Sequence, residues 1–187
     1  MTEGGFPVSV LTPESRLLEV EARAVVLRSS RGDMTVLDGH TPIITDVVPG
    51  AVRVDRVEGE PVRLAVHGGY MQVETGLGIG GSELRSTRVT LLAGVAELAD
   101  QIDVPRAERA REAAGARVEA LRAATGRTGG GAGGGGGAGG GGGAGGGGPS
   151  AGEGEGPGGS LSPELAVAEA ALRRAEVRLE VAGVPAS

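Results

Sequence analysis

The sequence predicts an N-terminal all-β domain, a small sandwich or flattened barrel, followed by two α-helices. Three observations carry this. From Phe6 to about Leu98 apolar residues recur with period two, the spacing that turns one row of side chains to a core and the other to water. After Leu98 the apolar spacing changes to three and four, the helical period. Between the two helical stripes, residues 126–160 are nearly pure glycine, with Ala132, Ala138 and Ala144 marking a repeat. Such a tract buries no apolar surface and loses the most backbone freedom on ordering, so it reads as a disordered tether.

The β runs come in order. Val8 and Val10 alternate with polar neighbours. Val20, Ala22, Ala24 and Val26 alternate with Glu19, Glu21, Arg23 and Val25, which makes the even positions the expected core row. Val52 and Val54, then Val62, Leu64 and Val66, then Val89 and Leu91 repeat the pattern. Turn signals part the runs at Thr12-Pro13, Arg31-Gly32-Asp33, Asp38-Gly39, Pro49-Gly50, Glu58-Gly59 and Gly68-Gly69. Many short strands at such spacing favour a sandwich.

The first helix opens at Asp103, an N-cap residue, with Pro105 tolerated in the first turn. Its stripe is Ala107, Ala110, Ala114, Val118, Leu121 and Thr125, and Gly126 is its expected stop. The second opens at Ser162-Pro163-Glu164, a cap, a proline at the first helical position and an early acid. Its stripe is Leu165, Ala168, Leu172, Ala175, Leu179 and Ala182, closed by Gly183 and Pro185. Narrow stripes of small residues suit two helices packed on each other. The residues alone give a sandwich over 1–100 and two helices within 101–187, with 126–160 looking on composition like a linker between two domains.

Composition narrows the function. The net charge of -6 offers no basic footprint for nucleic acid. Phe6 and Tyr70 are the only aromatics, so the core is built from Val, Leu, Ile and Ala rather than around a deep ligand pocket. The absence of Cys excludes thiol catalysis and thiolate metal sites. The absence of Lys excludes a P-loop lysine and a Schiff base. Missing Lys and Asn with abundant Gly, Ala and Arg point to a GC-rich genome, bacterial and actinobacterial in character. No charged-then-apolar leader opens the chain and no apolar run approaches a membrane span, so no direct membrane insertion is expected.

Candidate chemistry is sparse. Gly76-Leu77-Gly78-Ile79-Gly80-Gly81 matches a dinucleotide-binding spacing, but that motif needs a following helix and Ser86 to Ala93 reads as strand. His40 and His67, the only histidines, stand in separate segments, so no metal site is expected; each reads as a turn histidine bonded to nearby backbone. No catalytic residue is assigned.

One ordered set of motifs is more specific. Val10-Leu11-Thr12-Pro13-Glu14, Gly32-Asp33-Met34-Thr35-Val36-Leu37-Asp38-Gly39-His40-Thr41-Pro42, Val48-Pro49-Gly50, His67-Gly68-Gly69-Tyr70-Met71-Gln72-Val73, Val89-Thr90-Leu91-Leu92-Ala93, Ile102-Asp103-Val104-Pro105-Arg106-Ala107 and Ala168 to Ala182 follow one another. Together they resemble the epsilon subunit of bacterial F-type ATP synthases. The resemblance covers the chain except the glycine tract and the stretch from about Gly76 to Arg88. Two departures are plain: His67 stands where a small Ser is usual, and Thr75 to Thr87 lengthens a connection that is normally a tight turn.

The resemblance implies a β-sandwich of about ten strands and a helical hairpin. It implies a non-catalytic central-stalk subunit that couples proton-driven rotation of the rotor ring to ATP synthesis, with the helices as a regulator or inhibitor of ATP hydrolysis. The implied partners are the gamma subunit, the rotor c-ring and, transiently, the catalytic beta subunits. The implied location is the cytoplasmic side of the cell membrane, peripherally. Asp33 and His40 become rotor-ring contacts. No cofactor is required, but ATP is a regulatory ligand in some members, and Glu97, Asp103, Arg106, Ala107, Arg174 and Arg178 match its site. Two features weigh against ATP here: Pro105 lies inside the motif, and the arginine expected ten residues past Asp103 is Ala113. The plainer reading, a solvated helix face with intrahelical ion pairs, is preferred. A free-standing nucleotide-sensing or protein-binding module is the alternative to a rotary subunit. In this frame 101–187 becomes one helical hairpin, with the glycine tract, 126–160, as an insertion, an overgrown hairpin loop. Lengthening a loop from about five to about thirty-five residues costs roughly 1.7 kcal/mol of closure entropy.

Overall fold

The computed structural model describes residues 5–77, 85–128 and 162–184. The described strands are β1 (Phe6–Leu11), β2 (Arg16–Ser29), β3 (Gly32–Leu37), β4 (Ile43–Val47), β5 (Gly50–Arg56), β6 (Val62–Val66), β7 (Gly69–Leu77), β8 (Arg85–Ala93) and β9 (Ala96–Leu98). A single 3₁₀ turn, Ala99–Gln101, leads to α1 (Val104–Thr128), and α2 is Pro163–Val181. Nine described strands stand close to the ten implied by resemblance. The glycine tract lies outside the described residues except for its first three, where α1 continues to Thr128 rather than stopping at Gly126.

The strands run in the order β4-β7-β8-β1-β2-β5-β6-β9, with β3 joined to β2 alone. All pairs are antiparallel except β1 with β8. The path folds over one core, in which Phe6, Val8, Val10, Val36, Val52, Val54, Leu64, Val66, Met71, Val73, Val89 and Leu91 are buried. The alternation predicted for β1, β5 and β8 holds.

In β2 the predicted phase is wrong beyond its midpoint. Ala22 is buried as expected, but Val25 and Leu27 then enter the core, while Ala24 and Val26 are only half-buried. The cause is a bulge between Ala22 and Ala24 in the pairing with β5. One extra residue switches the strand's faces. It also lets this 14-residue strand serve both layers, pairing β1 through its first half and β3 through its second.

The helices carry the predicted caps. The Ser162 hydroxyl accepts from the Leu165 N–H at 3.3 Å, and the Asp103 carboxylate accepts from the Arg106 N–H at 3.0 Å. The facing stripes meet at Val118, Leu165 and Ala168, flanked by Leu121 and Leu172. Ala110 and Thr125, expected in the stripe, are exposed. A second buried face of α2 was not in the sequence pattern. Val177 and Val181 pack with Ala65 of β6 and Ile102. β6 is therefore buried on both sides: Leu64 and Val66 face the sandwich core, and Ala65 is small enough to receive the helix.

Candidate functional site

The helix pair is clasped to the sandwich where α2 lies on β6 and reaches β9 through a side chain. Glu97 sits mid-strand in β9, paired in register with Ala65. Arg178, one helical turn from the end of α2, donates from Nε to both Glu97 carboxylate oxygens at 2.9 and 3.0 Å, and Nη2 adds a third bond. Both side chains are about 30% exposed (28% and 30%), so solvent screens the pair only in part. Hydrogen bonds from Arg178 are the main reason the Glu97 carboxyl titrates below its ordinary range; burial opposes them, and the charges of Arg178 and Arg106 assist, as does that of His67 once its ring is protonated. A fork-to-carboxylate pair of this kind is the strong form of ion pair.

His67 lies beneath this clasp. Its side chain is 2% exposed, with Nε2 3.9 Å from Glu97 Oε1, and neither ring nitrogen has a hydrogen-bond partner. Burial, first, and then the Arg178 and Arg174 charges hold its pKa below the ordinary value, against the pull of Glu97. The ring is therefore neutral at neutral pH. This corrects the expectation that His67 bonds nearby backbone. His40 does behave that way: its Nδ1 lies 2.8 Å from the Thr41 carbonyl oxygen.

The residues matched to a nucleotide site gather only in part. Glu97 and Arg178 touch, and the charge of Arg106 reaches Glu97 while that of Arg174 reaches His67. Asp103 is engaged as the α1 cap, and Ala107 is buried. The arginines are thus not all a solvated face with intrahelical pairs: Arg178 reaches across to β9, and Arg122 of α1 bonds Glu169 of α2 at 2.7 Å.

Asp33 and His40 do not come together. Asp33 stands at the start of β3, bound by Arg28 at 2.7 and 3.3 Å, and His40 stands in the turn after the strand. At about 3.3 Å per residue, β3 alone separates Asp33 from Leu37 by about 13 Å. The hydrogen bonds and charge of Arg28 hold the Asp33 carboxyl below its ordinary range. β3 pairs with β2 alone, leaving its other edge unpaired among the described residues.

The Gly76 motif leads into a strand, since the chain from Arg85 is β8; residues 78–84 of the connection lie outside those described. Among the described residues no group of three or more His, Asp or Glu side chains gathers as a metal site would need. Sequence reasoning missed His67 as a neighbour of Glu97. The available signal was a bulky ring at a position where the resemblance expects a small Ser.

Residues 5–77 match the family described as ATP synthase, Delta/Epsilon chain, beta-sandwich domain. The chain is 38% identical over 120 residues to the ATP synthase epsilon chain of Desulforudis audaxviator, covering 64% of this chain and 79% of that one. It is 40% identical over 110 residues to the epsilon chain of Thermobifida fusca, covering 57% and 72%. Against that of Streptomyces griseus it is 37% identical over 107 residues, covering 57% and 77%. In fold it resembles a chain in the cryo-EM structure of Euglena gracilis mitochondrial ATP synthase (OSCP/F1/c-ring), with a TM-score of 0.53 at 17% identity over 97% of this chain and 79% of that one. With more than two thirds of curated epsilon chains covered at these identities, this chain belongs to the ATP synthase epsilon chain family.

Proposed function

We propose that this chain works as the non-catalytic epsilon subunit in the central stalk of an F-type ATP synthase, linking rotor rotation to ATP synthesis. The carrying observation is the likeness to named epsilon chains across more than two thirds of their length. The nine-stranded sandwich with two helices docked on it supports the same reading. The sandwich binds the gamma subunit and the proton-driven c-ring, and the protein sits peripherally on the cytoplasmic side of the cell membrane. No helix among the described residues is long and apolar enough to cross a membrane. Relatives from Streptomyces and Thermobifida and the Lys-free, Arg-rich composition favour an actinobacterial source.

Within that reading the ring contact runs along the unpaired edge of β3, from Asp33 to His40. The helix pair regulates ATP hydrolysis by undocking from the sandwich at the Glu97–Arg178 clasp and reaching toward the catalytic beta subunits. ATP is the regulatory ligand this clasp would take, with Arg106, Arg174 and Arg178 as phosphate partners, Asp103 and Ala107 at the start of α1, and Glu97 released from Arg178.

Affinity purification of the tagged full chain from membranes tests the stalk role. Gamma and the ring should co-purify. Recovery only as a cytosolic monomer without them would instead favour a free-standing sensor or binding module. For ATP, calorimetric titration of the full chain should give heat that Arg178→Ala abolishes; no heat at millimolar ATP would reject the ligand.

A further inference from the structure

β7 and β8 outrun their neighbours. β4 pairs β7 only from Gly69 to Val73, and β1 pairs β8 only from Val89 to Leu92. β7 and β8 nevertheless stay paired with each other from Glu74↔Arg88 to Leu77↔Arg85. These last four pairs form a two-stranded ribbon projecting beyond the sheet. An isolated two-stranded ribbon is marginal in water, so something beside it must hold it or be held by it.

The partner is the turn after β3, which occupies the place where β4 would continue. Thr75 and Thr87 are directly opposite each other in the ribbon, and both bond that turn. The buried Thr87 Oγ1 accepts from the Gly39 N–H at 2.7 Å, and the Thr75 hydroxyl donates to the His40 carbonyl oxygen at 2.9 Å. Gly39 has a left-handed φ of 78°, and it shares its N–H between Thr87 and the neighbouring Asp38 carboxylate, which accepts at 3.0 Å; the next N–H, that of His40, closes the turn on the Leu37 carbonyl at 3.1 Å. Thr87 is 1% exposed, and with Ser29 it is one of only two polar residues buried as a whole among those described. Buried hydroxyls are retained where they satisfy a specific partner.

We infer that the β7–β8 ribbon is a buttress for the 38–41 turn, and that Thr75 and Thr87 are positioning residues that present His40 at its end of the β3 edge. The pair clamps both sides of the Gly39–His40 peptide. One threonine takes the N–H before the peptide unit and the other binds the carbonyl after it, so the turn cannot rotate without losing both bonds. The functional consequence, a pre-set surface for a polar loop of the rotor ring, rests on the ring-contact reading above.

The test compares the full-length Thr87→Val, Thr87→Ser and Thr75→Val variants. Val keeps the shape and deletes the hydroxyl, and Ser restores it. Amide hydrogen exchange at Gly39 and His40 should quicken about fivefold in Thr87→Val, the factor one net hydrogen bond supplies, and return toward wild type in Thr87→Ser. Sandwich amides at Val10 and Leu64 should stay unchanged, which separates a loosened turn from a loosened fold. Unchanged exchange at Gly39 in both valine variants, or equal acceleration at Val10, would overturn the buttress. Binding of the same variants to detergent-solubilised rotor ring tests the other claim separately. A looser turn with weaker ring binding supports both. A looser turn with unchanged ring binding keeps the buttress and removes the ring contact from His40.

Discussion

Replacing Arg178 by Met is the most informative single perturbation. It keeps much of the aliphatic stem on α2 and removes the guanidinium that holds Glu97 through three hydrogen bonds. Two limits bracket the effect. A fully exposed ion pair contributes at most about 1 kcal/mol, and a hydrogen bond to a charged group about 1.5–3 kcal/mol. With side chains 28% and 30% exposed, the pair lies between them, and about 2 kcal/mol is expected. That loss makes the undocked form of α2 about thirtyfold more populated. Amide hydrogen exchange reads it directly. The last turns of α2, around Val177 to Val181, should exchange about thirtyfold faster, while Val10 and Leu64 in the sandwich stay protected. Glu97→Gln should reproduce part of the effect, and the double variant should fall short of the sum, as coupled partners do. Unchanged exchange in α2 would show that apolar packing of Val177 and Val181 alone sets docking. Equal acceleration in helix and sandwich would show that the helices and sandwich open as one unit.

Other outcomes follow from the same contacts. His67, neutral and held below its ordinary pKa of 6.5 by burial and two arginines, binds fewer protons folded than unfolded. Stability therefore starts to fall as pH drops below about 6.5. Glu97, also depressed, extends the loss as pH falls through the carboxylate range. Denaturant midpoints measured from pH 8 to 4 should decline, and His67→Ser should flatten the upper part of that decline. Gly69→Ala would place a Cβ 2.1 Å from the Leu92 carbonyl oxygen and 2.9 Å from the Ala93 Cα, both backbone, so a loss of about 3 kcal/mol is expected in thermal unfolding. Gly94→Ala, which meets nothing within 4 Å, is its near-neutral control. Asp103→Ala should cost about 1 kcal/mol by removing the α1 cap, and Asp103→Ser should restore the stability. ATP heat lost in Asp103→Ser despite restored stability would separate a ligand role from the cap.

The sequence by itself determined the class of each element. Alternation in Val8-Val10, Val52-Val54 and Val89-Leu91, and the caps at Asp103 and Ser162, are local properties, legible because one strand face or one helix turn suffices to produce them. The ordered motifs were enough to point to the family. What tertiary structure decided was where separate elements meet. The bulge that reverses the core face of β2 arises from its pairing with β5, and its one mark in the alternation is the apolar Val25 in the polar row, which by itself does not say which face is buried. The second apolar face of α2 looked like scattered valines until Ala65 of β6 supplied its seat. The Glu97–Arg178 clasp spans 81 residues of chain, and His67 beneath it acquires its depressed pKa only from burial and from charges brought by α2. Asp33 and His40, seven residues apart in sequence and near-neighbours in the motif, are sent to opposite ends of β3 because an extended strand lies between them. Threonines 75 and 87 marked only the ends of a lengthened connection in sequence, since a hydroxyl becomes a positioning group only when another segment brings it a backbone partner.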